Sequence, residues 1–404
     1  MRRALLLFLS VLLLAGLVLP ASAAEKAVTV TIDGTPVTYD DSYGYPFIDG
    51  NGRTQVPFRR TMETFGCTVS WHPLRRIATA KKDGVTVDVP IGRNYILVNG
   101  TKVTIDSAAL IQNGRTYLPI RAVAEAFGAM VTWDRRTATV AITTGADLVR
   151  VHFIDVGQGD ATLIDCGETE VLIDGGDNDA GPVVVDYLRP YVDGRLDYVI
   201  ATHPDADHIG GLDDVLAAYS VGRVIDSGYV STTRSYRDYL TAAQNEAGCA
   251  FTYDSDERIA LGRETVLCVI ETGDGWDNAN DSSVVCELVC GNVRVLFTGD
   301  MTRDAEQASL SLFGDVDVLK VGHHGSAYST SAEFLEVLRP EYAVISYKTG
   351  NDYHHPAASA LRRLLSCGAT IYGTGKSGAV ILTTDGTSLS FNTSNALTLA
   401  DAGA

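Results

Sequence analysis

The chain has 404 residues, which is too long for one ordinary domain, so two folded units are expected. Its 50 acidic and 32 basic residues give a net charge of −18. The imbalance lies after residue 147, because residues 148–404 hold 16 basic against 38 acidic side chains. That part therefore lacks the broad basic face of a domain that grips a nucleic-acid duplex. A polyanion handled there must be held by bound metals or by another surface.

The first predicted element is an export signal at residues 1–23. Arg2 and Arg3 precede an apolar run from Ala4 to Leu19, and Ala21-Ser22-Ala23 is typical of a cleavage site. The run is slightly long for a signal, so an uncleaved anchor is the alternative. No second stretch of the sequence is long enough to span a membrane. The protein is therefore expected to be secreted or cell-surface associated, without a transmembrane channel.

Residues 28–143 are predicted to form a small domain built from an internal repeat. The segment Asn51–Arg59 (NGRTQVPFR) recurs as Asn113–Arg121 (NGRTYLPIR), and the same spacing relates Trp71 to Trp133. A self-match of this kind indicates duplicated structural units. In each copy a short strand is expected to run into a helix at the proline, and two further strands follow.

The repeat resembles the copper amine oxidase N-terminal-like domain, a module of exported bacterial proteins. The resemblance implies a small, β-rich α+β unit, for which surface or cell-wall attachment is the expected role. It does not bring a copper site with it, because His72 is the only histidine in this region. We interpret His72 as a structural histidine in a turn.

Residues 148–386 are predicted to form a second domain, in which β-type and helical stretches alternate as in an α/β fold. Polar clusters follow many of the apolar strands directly and should project from one end of the sheets. The last residues, 394–404, are small and polar and are predicted to be a flexible tail. The seven cysteines match no metal-binding pattern, and a disulfide between distant cysteines stays open.

The most informative cluster is the turn THPDADH at residues 202–208, which follows the apolar run Tyr198–Ala201. It places four candidate metal ligands within six positions: His203, Asp205, Asp207 and His208. Such crowding is costly unless cations lie between the side chains. A pair of divalent cations would remove that cost, so the turn favours a metal-dependent hydrolase. Further polar clusters follow at Asn280–Ser283, Thr298–Asp300, Gly322–Ser326 and His354–Pro356.

In this order the clusters resemble the metallo-β-lactamase fold, and more closely the exported hydrolase domain of the DNA-uptake competence channel (ComEC type). In that subgroup the usual His-x-His-x-Asp-His motif becomes His-x-Asp-x-Asp-His, as in residues 203–208. The resemblance implies a four-layer αββα sandwich with a two-metal site at one edge.

The resemblance also divides the ligands between two metals. The first metal would be bound by His203 and Asp205, the second by Asp207 and His208, and Asp300 would bridge them; His323 would complete the second site, with its neighbour His324 as the alternative. The further histidine that most of the family supplies is missing, because none lies between His208 and His323. The first metal is therefore expected to be completed by water or substrate.

Oxygen-rich ligands favour Mn²⁺ or Mg²⁺ relative to Zn²⁺, so two divalent ions are predicted, with Mn²⁺ first and Zn²⁺ second. Two such ions suit in-line attack on a phosphodiester. The predicted catalytic residues are Asp207 and, as proton donors, His324 and His355. The predicted substrate-binding residues are Asn280, Ser283 and Ser326. Asp174 is expected to brace the ligands from behind.

The leading hypothesis is an exported two-metal phosphodiesterase that acts as a nuclease on single-stranded or short nucleic acid. Wall teichoic-acid diesters are also compatible with it. One alternative keeps the metals but cleaves a lactam, lactone or thioester, since the fold alone does not decide the bond. The other alternative is a non-catalytic wall-binding protein in which the N-terminal repeats carry the function.

Overall fold

The computed structural model describes residues 27–105, 107–134, 136–145, 148–262, 264–273 and 275–403. The export signal predicted at residues 1–23 lies outside these described residues. Within them, no helix combines the length and the apolar character needed to cross a membrane. All seven cysteines are free thiols.

The N-terminal part contains short strands in three small sheets, ordered β12-β13-β1-β2, β10-β11-β4-β3 and β5-β6-β7-β8-β9. Its elements are β1 (Thr29–Ile32), β2 (Thr35–Pro36), β3 (Phe47–Ile48), β4 (Thr54–Pro57), α1 (Phe58–Thr64), β5 (Thr68–His72), β6 (Ile77–Lys82), β7 (Val85–Pro90), β8 (Tyr95–Val98), β9 (Thr101–Thr104), β10 (Leu110–Gln112), β11 (Arg115–Pro119), α2 (Ile120–Glu125), β12 (Met130–Asp134) and β13 (Thr139–Thr143).

The two copies of the repeat meet across one antiparallel pair, in which β4 lies beside β11 with Val56 opposite Leu118. In each copy the strand ends at a proline and a helix begins at the next residue. Proline has no backbone N–H with which to continue a sheet, and its fixed φ is compatible with the start of a helix. Gly128 then ends α2 with a φ of +78°, a left-handed conformation that glycine adopts without steric cost.

The C-terminal part contains two large sheets, ordered β19-β18-β17-β16-β15-β14-β27-β28 and β20-β21-β22-β23-β24-β25-β26. Its strands are β14 (Val149–Phe153), β15 (Thr162–Asp165), β16 (Glu170–Ile173), β17 (Arg195–Ala201), β18 (Ser220–Asp226), β19 (Ala250–Tyr253), β20 (Glu257–Ala260), β21 (Thr265–Ile270), β22 (Val285–Cys290), β23 (Val293–Phe297), β24 (Val318–Lys320), β25 (Tyr342–Ile345), β26 (Thr370–Gly373), β27 (Val380–Thr384) and β28 (Leu389–Phe391). Its helices are α3 (Gly181–Leu188), α4 (Ala206–Ile209), α5 (Leu212–Ala218), α6 (Arg234–Asn245), α7 (Arg303–Ser309), α8 (Ala332–Leu338), α9 (Ala358–Ser366) and α10 (Thr374–Ser377).

Three buried clusters show how these elements are layered. Apolar side chains such as Phe153 and Phe297 fill the space between the two sheets. A second cluster joins the first sheet to α3, α5 and α6, and a third joins the second sheet to α7, α8 and α9. The predicted four-layer αββα sandwich is therefore confirmed. Because β16, β17 and β18 are parallel, as are β23, β24 and β25, the polar residues after these strands meet at sheet ends.

The sequence pattern did not predict four of the strands, namely β19, β20, β21 and β28. Three of them are edge strands, which carry mixed and partly exposed residues and give a weak pattern. Residues Thr374–Ser377, whose Thr-Gly-Lys-Ser sequence is typical of a turn, form the short helix α10. It links β26 in one sheet to β27 in the other, so the two strands do not pair.

The structure also departs from the flexible tail predicted at residues 394–404. Leu397 is 2% exposed in the cluster beneath α9, and its N–H donates to the carbonyl of Ile371 at 2.7 Å. Lys376 pairs with Asp401 at 3.0 Å. One buried leucine and one ion pair therefore order a segment whose small, polar composition suggested otherwise. Strand β28 also extends the sandwich beyond the predicted boundary at residue 386.

The two parts touch at the free edge of β28. Arg121, at the start of α2, donates to the backbone carbonyl of Phe391 at 3.4 Å, and β12 lies against β28. From the other side, Arg150 donates to the carbonyl of Gly128 at 2.6 Å. The N-terminal repeats therefore rest on the sandwich through backbone acceptors.

Glu170 is expected to make folding stability depend on pH. Burial, and then the charges of Asp197 and Asp165, raise its pKa to about 7, so the folded protein retains a proton that the unfolded chain releases above its ordinary value. Stability should therefore fall as pH rises from about 4.5 to 7. Because the side chain is partly exposed, Glu170→Gln should raise the melting temperature by only about 1–3 °C at pH 8, and by almost nothing at pH 4.

The measurement is thermal unfolding in the presence of a chelator at both pH values. Glu168→Gln, an exposed carboxylate in the preceding turn, is the matched control. Equal stabilisation by both variants would assign the effect to net charge and contradict a specific role of the half-buried Glu170 carboxyl.

Candidate metal centre

The candidate ligands converge where β17, β23 and β24 end. His203 and His208 lie in the turn after β17, Asp300 lies after β23, and His324 lies after β24. The ring centroids of His203 and His208 are 4.1 Å apart, and those of His208 and His324 are 5.2 Å apart. Residues separated by more than a hundred positions are thus brought to one edge of the sandwich.

Asp174 fixes the turn that carries the first ligands. Its carboxylate accepts from the backbone N–H of Thr202 at 2.9 Å and from the Thr202 hydroxyl at 2.7 Å. Nδ1 of His208 lies 2.7 Å from Asp174 Oδ2. Because Nδ1 is engaged in this way, Nε2 of His208 faces Asp300. Asp174 therefore occupies the bracing position that the sequence suggested.

A first group of donors consists of His203, His208 and Asp300, whose ligand atoms all lie within 4.8 Å of one another. His208 Nε2 is 3.2 Å from Asp300 Oδ1, and His203 Nε2 is 4.0 Å from Asp300 Oδ2. These two nitrogens and Asp300 Oδ1 are buried and have no hydrogen-bond partner among the described residues. Buried polar atoms without partners are costly, so the group fits a cation. Asp205, whose side chain is 51% exposed, approaches His203 Nε2 to 3.7 Å from the open side.

A second group of donors consists of Asp207, His208 and His324. Nε2 of His324 lies 3.1 Å from Asp207 Oδ2 and 3.6 Å from Asp300 Oδ2. On the other side of the ring, Nδ1 lies 3.2 Å from the carbonyl of Ser346. Both groups border Asp300, so a pair of metals could occupy adjacent positions; His208 could bind only one of them, because Nε2 is its single free nitrogen.

The structure favours the alternative ligand of the histidine pair. The sequence assigns His323 to the second metal, with His324 as the alternative ligand, and proton transfer to His324 or His355. Both imidazoles lie at similar distances from Asp300 Oδ2, 3.6 Å for His324 and 3.7 Å for His323. They differ in burial and company: His324 is buried and groups with Asp207 and His208, whereas the side chain of His323 is 25% exposed. Both residues have left-handed backbones, with φ near +50°, a strained conformation that this turn imposes in order to place two imidazoles side by side.

Lys320 is a site residue that the sequence analysis missed. It is buried in β24, and its Nζ lies 2.7 Å from Asp160 Oδ2. The other oxygen of Asp160 lies 3.3 Å from His324 Nδ1. Burial raises the pKa of Asp160, but the charges of Lys320 and His324 outweigh it, so the pKa falls below its ordinary value. A lysine inside an apolar strand just before the histidine pair was the available signal.

The ionisable groups of the candidate centre shift one another's pKa values. Burial, and then the charge of His208, lower the pKa of His203 to about 4, so its imidazole is neutral and ready to bind a metal. Burial would also lower the pKa of His324, but Asp300 and Asp160 outweigh it and raise the pKa to about 10. Burial raises the pKa of Asp207, yet its hydrogen bond to His324 prevails and lowers it to about 2. His324 therefore keeps its proton at neutral pH, and its positive charge offsets part of the negative charge of the neighbouring carboxylates.

The predicted substrate-binding residues divide into two kinds. Ser283 is buried; its hydroxyl donates to the carbonyl of Asn280 at 2.7 Å and accepts from the N–H of Asp300 at 3.0 Å. It therefore braces Asp300 instead of facing substrate. Ser326 is also buried, and its hydroxyl accepts from the N–H of Tyr328 at 3.3 Å. Only Asn280 remains at the rim, with Nδ2 3.5 Å from His323 Nδ1.

His355 completes the open side of the centre. Its ring lies 5.8 Å from that of His323 and 6.3 Å from that of His324. Nδ1 of His355 is buried and has no hydrogen-bond partner among the residues described. Burial, and then the charges of His324 and His323, lower its pKa to about 4. The exposed ring of Tyr353 covers it at 5.8 Å.

Comparison with known proteins matches the two parts of the chain separately. Residues 31–142 match the copper amine oxidase N-terminal domain, and residues 154–349 match the metallo-beta-lactamase superfamily. Two curated relatives are ComE operon protein 3 of Bacillus subtilis, 31% identical over 57% of this chain and 32% of the relative, and Recombination protein 2 of Haemophilus influenzae, 32% identical over 57% and 28%. The chain thus spans about a third of the length of these relatives. Among solved structures, the metallo-beta-lactamase fold protein YhfI of Bacillus subtilis matches with a TM-score of 0.42 and 12% identity, over 58% of this chain and 100% of that protein.

Metal binding is expected to release protons. A cation that binds His324 must displace the proton that its raised pKa retains at neutral pH, so apparent affinity should rise with pH by about tenfold per unit for each proton released. Titration calorimetry with Mn²⁺ between pH 6 and 8, in buffers of different ionisation enthalpy, measures the number of protons. A pH-independent affinity with no proton release would contradict this description of the metal-free site.

Lys320 is expected to support metal binding through Asp160 and His324. Lys320→Met should lower Mn²⁺ affinity by about 10–100-fold and also destabilise the fold, because it leaves a buried carboxylate unpaired. The double variant Asp160→Asn/Lys320→Met should recover stability but not affinity. Lys348→Met removes an exposed lysine of the same part and is the control. Native affinity in the double variant would show that this pair has no influence on the metal.

Proposed function

We propose that this chain is an exported two-metal phosphodiesterase. Its copper amine oxidase N-terminal domain precedes a metallo-β-lactamase domain, which indicates a metal-dependent hydrolase. Its substrate would be single-stranded or short nucleic acid. The observation that carries the proposal is the pair of adjacent donor groups on either side of Asp300, of which His208 can serve one.

Two adjacent cations, when bound, activate water for attack and stabilise the attacking and leaving oxygens of a phosphodiester. The residues that would hold them are His203, Asp205, Asp207, His208, Asp300 and His324. Three carboxylates among six ligands make the set oxygen-rich, which supports Mn²⁺ as the resident ion and Zn²⁺ as the second choice. Asp174 and Asp160 keep the two buried imidazoles, His208 and His324, directed at this group.

We assign proton delivery and hydrogen-bond donation to residues at the open side of the centre. His323 is accessible and lies next to Asp300, so we assign to it the delivery of a proton to the leaving oxygen. His355 is neutral in the metal-free protein and is better suited to donate a hydrogen bond to a phosphoryl oxygen. Asn280 can donate a second hydrogen bond from the rim.

Two observations support nucleic acid as the substrate class. One curated relative is named Recombination protein 2, and another, from Neisseria gonorrhoeae and 28% identical over 56% of this chain, is named Competence protein ComA. The acidic charge of residues 148–404 disfavours a gripped duplex and leaves short or single-stranded substrates. Export rests on the signal sequence at residues 1–23, and the N-terminal repeats would attach the enzyme to a surface.

Cleavage is expected to require both metal and Asp207. The metal-stripped chain should release nucleotides from labelled single-stranded DNA after addition of Mn²⁺, more weakly with Zn²⁺ or Mg²⁺, and Asp207→Ala should abolish release. Asp155→Asn is the matched control, because Asp155 is exposed and only accepts from the N–H of Gly157. If metal binds but DNA, RNA and bis-nitrophenyl phosphate all stay intact, the proposal fails. Rapid hydrolysis of a chromogenic lactam instead would favour the alternative reaction.

The loss of cleavage rate on replacing His323 is expected to depend on the leaving group of the substrate. His323→Asn should slow cleavage of DNA by about 10²–10⁴-fold, because an alkoxide needs a proton to depart. The same variant should hydrolyse bis-nitrophenyl phosphate at nearly the native rate, since nitrophenolate leaves unprotonated. The test compares His323→Asn with the native chain in steady-state rates on both substrates and in Mn²⁺ affinity. Equal losses on both substrates, or a loss of metal, would contradict proton delivery by His323.

A further inference from the structure

The N-terminal domain contains an open cleft of about 380 Å³, far from the metal centre in the chain. Both copies of the repeat line it: the first contributes the start of α1 and the end of β5, and the second contributes the tip of the β10–β11 hairpin. Its charged and aromatic lining consists of Arg59, Arg60, Arg115, Tyr43, Phe58 and Trp71. We name this surface the arginine cleft.

The internal repeat gives the N-terminal domain two equivalent faces. One of them contacts the sandwich, and the arginine cleft is the other. On the other face, the repeat partners of Arg115 and Arg59 are Arg53 and Arg121, which donate to the hydroxyl of Ser394 and to the carbonyl of Phe391 in the sandwich. Trp133 packs against the N-terminal core, whereas its partner Trp71 is 39% exposed. The same sequence motif therefore secures a domain contact on one face and leaves arginines and a tryptophan available on the other.

The charged lining of the cleft is entirely basic. No acidic residue is among the described residues that line it. Arg60 donates from Nε to the carbonyl of Thr38, and Arg115 donates to the carbonyls of Asp41 and Ser42. These acceptors are backbone groups, so they orient the guanidinium groups and bring no charge of their own; the exposed carboxylate of Asp40 does interact electrostatically with Arg60. Arg59 pairs with Glu63 at 3.3 Å on the exposed side.

We propose that the arginine cleft binds a single strand of nucleic acid, with Trp71 stacking on a base and Arg59, Arg60 and Arg115 contacting phosphates. Exposed aromatic rings beside arginines suit unpaired bases on an anionic backbone. A duplex offers no free base face, and a neutral glycan would not need three guanidinium groups. The choice of ligand rests on the proposed phosphodiesterase function. The cleft then supplies the cationic grip that the acidic hydrolase domain lacks.

The test is binding of a fluorescein-labelled oligothymidylate to the full chain, followed by fluorescence anisotropy in chelator so that no cleavage occurs. Trp71→Ala should weaken binding by at least about fivefold, and Trp71→Phe should retain most of it. Arg59→Ala should weaken binding and reduce the dependence of log affinity on log salt by about one. Arg93→Ala removes an exposed arginine of the same domain outside the cleft and should bind as the native chain does.

Hydrolysis of bis-nitrophenyl phosphate by the native chain is measured alongside, so the two proposals can fail separately. Binding that depends on Trp71 and Arg59 supports the cleft even if no diester is cleaved. Cleavage without measurable binding, or binding that Trp71→Ala and Arg59→Ala leave unchanged, overturns the cleft while the phosphodiesterase stands. Binding of purified wall teichoic acid but not of oligothymidylate also overturns it, and would make the cleft a wall-polymer site.

Discussion

The structure depends on the electrostatic position of Asp300, a buried carboxylate surrounded by imidazoles. Burial would raise its pKa, but the charges of His208 and His324 hold it well below its ordinary value. The order of the sheets brings these groups together, since Asp300 and His324 follow adjacent parallel strands, while His208 comes from the opposite sheet. The αββα sandwich can thus be understood as a rigid frame for charges that require a counter-ion.

Much of this arrangement could be predicted from the sequence, because its information is local. The THPDADH turn crowds four ligands after an apolar run, and such crowding has few explanations. The repeat was visible through its self-match, and the alternation of strands and helices predicted the fold class. The proline-to-helix transitions and Gly128 follow from backbone chemistry alone.

What could not be predicted depends on side-chain direction and long-range contact. Neighbouring residues such as His323 and His324 have the same chemistry, and only the left-handed turn decides which one is buried. Ser283 has a hydroxyl suitable for substrate, but the fold uses it to hold the N–H of Asp300. Lys320 becomes meaningful only when Asp160, 160 positions earlier, lies beside it. The ordered tail likewise depends on one buried leucine, Leu397.

The contact of the N-terminal repeats with β28 has a consequence for the behaviour of the sandwich in solution. β28 is an edge strand, and unpaired edges are templates for association between chains. Arg121 occupies an acceptor of that edge at Phe391, and β12 contacts the same strand. The repeats would therefore hinder edge-to-edge pairing of β28 with another chain. The hydrolase domain would lose this protection if it were produced alone.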